Sequence, residues 1–119
     1  MSRDADAIRA RVPEVAHAYA ETRATVLEGG AVDPALKLLC ARFLANEDVE
    51  GTTPQERAAL DWADAVAWDD RRADDALWAE LHAHFSEPEL VELGYFIAFT
   101  LGQMHWLRTL GIRPNPAAP

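Results

Sequence analysis

Residues 86–111, SEPELVELGYFIAFTLGQMHWLRTLG, read as one long helix with a marked start and stop. The Ser86 hydroxyl is placed to accept from the backbone N–H of Glu89, and the Glu89 carboxylate to reach back to the Ser86 N–H, a capping box. Gly111 supplies the stop, with Pro114 beyond it. A helix over Glu87–Leu110 spans ~36 Å at 1.5 Å per residue, about the full width of a domain this size. Its wheel is apolar nearly all round. Leu90, Gly94, Ile97 and Leu101 form one stripe, and Tyr95, Phe99, Gly102 and Trp106 another. Leu93, Phe96, Thr100 and Leu107 lie between them. Burial by neighbouring helices on one side and by another subunit on the other is the expectation, with Gly94 and Gly102 permitting close approach.

Working backwards, Thr53-Pro-Gln-Glu56 is a second capping box and opens a helix over Pro54–Trp68, with Leu60, Ala63, Val66 and Ala67 inward. Asp69-Asp-Arg-Arg72 breaks the pattern. Asp74 or Asp75 then caps a helix from Ala76 to about Phe85, whose Leu77, Leu81 and Phe85 share a face flanked by Trp78. Asp33-Pro34 begins a helix with Leu36, Leu39, Cys40, Phe43 and Leu44 at core-facing spacing, followed by a polar loop over 46–53. Pro13 suits the first turn of another, carrying Val15, Tyr19, Thr22 and Val26 and ending at Gly29-Gly30. The spacing predicts an all-α fold, a compact bundle of about five helices with a long central C-terminal helix. Residues 1–12 read as a polar lead-in or short helix, 13–111 as a single helical domain and 112–119 as a flexible Pro-rich tail.

Composition narrows the partners. The 119 residues carry a net charge of −9, which argues against nucleic acid, whose affinity comes mainly from Lys and Arg on phosphates. Residues 47–92 hold 14 Asp and Glu against three Arg, an acidic solvated face. The longest stretch free of Asp, Glu, Lys and Arg, Leu93–Leu107, falls short of the ~20 residues of a membrane span. The N-terminal segment lacks the apolar core of a signal peptide. One cysteine, Cys40, excludes an internal disulfide and fits a reducing compartment, so the expected location is cytoplasmic.

The segments Asp33-Pro-Ala-Leu-Lys-Leu-Leu39, Thr53-Pro-Gln-Glu-Arg-Ala-Ala-Leu60, Trp62-Ala-Asp-Ala65 and Ser86-Glu-Pro-Glu-Leu-Val-Glu-Leu93 with its apolar helix resemble the carboxymuconolactone decarboxylase/alkylhydroperoxidase D-like family over about Val32–Gly111. The resemblance implies a helical subunit of trimers or hexamers, with thiol-based peroxide reduction or, in one branch, lactone decarboxylation. Peroxidase members carry C-x-x-C with a histidine shortly after it, plus an upstream glutamate. One thiolate attacks peroxide and its neighbour resolves the sulfenic acid. Here the corresponding stretch reads Asn46-Glu-Asp-Val-Glu-Gly51, with no C-x-x-C and no adjacent histidine. Cys40, on an apolar stripe, reads as a small inert hydrophobe. The active site of the family is degenerate in this chain.

His105 is the candidate catalytic group, with Thr100, Gln103 and Trp106 as pocket candidates beside it. A buried histidine serves as a neutral base or hydrogen-bonding group near neutral pH, although a core histidine bonded to a carbonyl meets the same description. His82 and His84, two apart on a helix, diverge by ~200° and do not share one ion. No zinc spacing, phosphate loop or dinucleotide fingerprint is present, so neither metal nor cofactor is expected. Trp62, Trp68, Trp78 and Trp106 read as anchors of core and interface. Two functions follow: a small pocket that binds or acts on a small apolar molecule, or a non-catalytic oligomeric assembly or regulatory subunit.

Overall fold

Both capping boxes form. Glu56 N–H donates to Thr53 Oγ1 at 3.1 Å and Thr53 N–H to Glu56 Oε1 at 3.2 Å, while the Ser86/Glu89 pair closes at 3.3 and 2.8 Å. A computed structural model describes residues 4–119, leaving residues 1–3 of the expected lead-in outside the described residues. The described chain is all-helical, without strands: α1 (Ala5–Arg9), α2 (Pro13–Thr22) continuing as a π-turn over Arg23–Leu27, α3 (Pro34–Leu44), α4 (Pro54–Trp68), a 3₁₀ turn over Asp70–Arg72, α5 (Asp75–His84) and α6 (Glu87–Thr109). No helix among the described residues is long and apolar enough to cross a membrane.

The long helix closes with a Schellman motif. Gly111 takes φ 75°, its N–H donates to Arg108 O, and Ile112 N–H donates to Leu107 O, each at 3.0 Å. Asp74 is the cap of α5, holding Leu77 N–H at 2.9 Å. Asn46 ends α3 with φ 67°, a left-handed position that asparagine tolerates.

The core gathers Leu36, Cys40, Ala41 and Leu44 of α3, Ala58, Ala59 and Ala63 of α4, Leu81 and Phe85, and Leu90, Leu93, Phe96, Ile97 and Met104 of α6. On α4 the inward face is centred on alanine. Val66, expected inward, is exposed, because the smaller residues at 58, 59, 63 and 65 take the closely packed side. As anchors of the core, the tryptophans depart from expectation. Trp68, Trp78 and Trp106 are exposed and Trp62 is half-buried, since Leu, Ala, Phe and Met already fill the interior.

An ion pair fastens α2–α3 to α6. Lys37, only 2% exposed, donates to Val26 O at 2.5 Å and Gly29 O at 2.8 Å and pairs with Glu92 Oε2 at 2.9 Å. The Val26 carbonyl is among those a helix end leaves without partners. Glu92 also accepts from the Ala31 and Val32 N–H groups, both at 2.8 Å. Gly30 (φ 92°) passes against that carboxylate, and a Cβ there would collide with it. Glu92 therefore belongs to an interior network rather than to the solvated acidic face.

Candidate functional site

The buried face of α6 takes Leu90, Leu93, Phe96, Ile97, Thr100, Met104 and Leu107. The opposite side, through Val91, Tyr95, Ala98, Gly102, His105 and Thr109, is exposed. His105 thus faces solvent and is not among the residues lining the cavity beside Gln103 and Trp106. Successive helix residues turn by about 100°, which carries position 105 away from the side shared by 103 and 106. Gly94 and Gly102 also differ. A Cβ at Gly94 would lie 2.7 Å from Trp62 Cη2 within the same chain, whereas one at Gly102 meets nothing within 4 Å.

The cavity beside Gln103 and Trp106, about 290 Å³, lies where α1 and α2 meet α6. Its charged group is Arg9. The residue is 5% exposed, and its guanidinium lies 3.6 Å from the centroid of the Tyr19 ring and 5.7 Å from that of Trp106. Nη2 donates to Gln103 Oε1 at 2.8 Å and to the main-chain oxygen of Pro119 at 3.1 Å, and Nη1 reaches the exposed Asp6 at 3.4 Å. The 112–119 segment thereby folds back over the N-terminal helices. Tyr19 in turn stacks on Phe99 with ring centroids 6.0 Å apart.

This arrangement is a charged donor held among aromatic rings. The side chain of Asp6 is itself 79% exposed, so its charge is well solvated and weakly felt. A guanidinium has five N–H donors, and the three protein contacts leave donors over for a ligand. The Tyr19 hydroxyl is buried without a hydrogen-bond partner, as is Thr100 Oγ1. Gln103 and Trp106 belong to this cavity, while Thr100 sits on the core face of the same helix. Arg9 and Tyr19 escaped sequence reading because each lies far from α6 along the chain.

Elsewhere the reactive groups are quiet. Cys40 is fully buried, and burial pushes its thiol up to about 12, far from thiolate chemistry. His17 and His84 make surface contacts with Glu21 and Glu80. Asp64 pairs with Arg72. No group of three or more His, Cys, Asp or Glu among the described residues could hold a metal ion.

Comparison with protein-family models, with curated proteins and with solved structures finds no match to this chain.

Proposed function

We propose that this chain is a carboxymuconolactone decarboxylase/alkylhydroperoxidase D-like helical subunit, cytoplasmic, that has lost thiol peroxidase chemistry. It binds a small, largely apolar molecule in the cavity between α2 and α6. The observation that carries this reading is Arg9, a buried guanidinium among Tyr19, Phe99 and Trp106 with donors left over. Such a site favours a ligand with an apolar body and a carbonyl or carboxylate head, because the head meets charge-assisted donors where water is scarce. The inert Cys40 and the absent C-x-x-C support the loss of redox chemistry.

Thermal melts with a panel of small apolar carbonyl and carboxylate compounds test it. Wild type gains melting temperature with at least one compound, Arg9→Met loses that gain, and His105→Ala keeps it. A panel that shifts nothing, or a gain that survives Arg9→Met, contradicts the reading.

A second reading rests on a separate observation. The exposed residues Val91, Tyr95, Ala98, Gly102, His105 and Thr109 are spaced alternately four and three apart, the period of a helix-pairing seam. Val91 is 73% and Tyr95 58% exposed, and the seam carries no Asp, Glu, Lys or Arg. Its occupant in this reading is α6 of a second copy, which makes the chain an oligomeric assembly subunit, a trimer or hexamer by the resemblance.

A further inference from the structure

A second cavity of about 350 Å³ lies between α4, α5 and the start of α6, remote in sequence from Arg9. Two of its walls are indoles. Trp62 and Trp78 meet at 75° with centroids 5.8 Å apart, and the His82 ring stands at 77° to Trp78 at 4.8 Å. Gly94 lets Trp62 settle against α6, since a Cβ there would approach Trp62 Cη2 to 2.7 Å. In each pair one ring's edge meets the other's face, and a ring face left free carries the negative potential that attracts a cation.

Glu87 stands on the lining as the one carboxylate. Its contact with His82 Nε2 is 3.6 Å, too long for a hydrogen bond. His82 Nδ1 lies 2.9 Å from Trp78 O. That carbonyl accepts a hydrogen bond from the Nδ1 side of the ring, which fixes the ring's orientation against Trp78. The Glu87 carboxylate makes no hydrogen bond to His82 and is open to solvent, within reach of a positive ligand. Residues 47–92, with 14 acidic groups against three arginines, add a field of the same sign.

We propose that this corner binds a small quaternary ammonium cation, such as a choline-type head group. A trimethylated nitrogen has no N–H donors to satisfy and is weakly hydrated, which suits indole walls with one carboxylate at hand. A primary amine would leave donors unpartnered against those walls. This goes beyond the Arg9 reading and uses different residues.

The test is an NMR titration of the full-length chain with choline, following the tryptophan indole N–H signals. The neutral isostere 3,3-dimethyl-1-butanol is titrated in parallel. The Trp62 and Trp78 signals should move saturably with choline and not with the alcohol at equal concentration. Trp78→Ala should weaken binding by about two- to fivefold, the scale of a cation–π contact at an exposed ring. Glu87→Gln, at an exposed position that leaves the fold intact, should weaken it by about twofold, the scale of a well-solvated charge. Equal response to the alcohol would reduce the site to a plain apolar pocket and overturn the proposal. So would the absence of a saturable shift in wild type, or choline binding unchanged in both variants.

Discussion

Glu92 shows how much one side chain holds in this fold. Its carboxylate collects two backbone N–H groups and the Lys37 ammonium, joining the turn before α3 to α6. Burial opposes its ionisation, yet the Lys37 hydrogen bond, the Val32 and Ala31 N–H groups and the Lys37 charge together hold it below the usual carboxylate range. A carboxylate with a lowered folded pKa contributes stability that is present above the unfolded value, 4.5, and lost as pH falls through the folded one. Melting temperature should therefore fall steeply below that value in wild type and less steeply in Glu92→Gln. Glu56 and Asp69, also lowered but exposed, leave a residual slope. At neutral pH, Glu92→Ala should cost about 3 kcal/mol in denaturant unfolding, because it strands a buried ammonium. Thr100 works the other way. Its buried hydroxyl has no partner, so Thr100→Val should stabilise by about 1 kcal/mol, or about 3–5 °C in a calorimetric scan. Neither effect was legible in the sequence. Glu92 reads there as one of many surface acids, since its meeting with Lys37 depends on how α3 crosses α6.

At the scale of elements, the local signals carried far. Capping boxes, Pro at first turns and Gly111 act within a few residues, so the starts of α4 and α6 and the end of α6 were readable directly. The lead-in over 1–12 left a loop and a short helix open, and the described part forms α1, capped by Asp4. What the wheel of α6 could not tell was which apolar stripe turns inward. Tyr95, Gly102 and Trp106 look as apolar as Leu93 and Phe96, and only the placement of α3 and α4 separates them. The exposed seam makes a definite prediction. Since a Cβ at Gly102 meets nothing in the single chain, Gly102→Leu should leave the far-UV spectrum and monomer fold unchanged. If a second copy covers the seam, the same substitution should lower the sedimenting mass at micromolar protein. A wild-type chain that sediments at 13.2 kDa removes the self-association reading.

Across the whole molecule, 45 × 25 × 24 Å, the long helix ties two separate cavities to one core. Gln103 and Trp106 were legible as pocket residues because they lie on that helix. Arg9, the group that gives the pocket its chemistry, was not: 94 residues separate it from Gln103, and nothing in its local sequence announces the contact. The four tryptophans now serve as position markers, with Trp106 at the Arg9 cavity, Trp62 and Trp78 at the other, and Trp68 exposed elsewhere. The Arg9 cavity is the proposed seat of a small, largely apolar anion or carbonyl compound. Titrating benzoate into the full-length chain while recording the four indole N–H signals tests that most directly. The expected result is a saturable shift of Trp106, with Trp62, Trp68 and Trp78 unmoved, that disappears in Arg9→Met. A silent Trp106, or a Trp106 shift that persists in Arg9→Met, would contradict it.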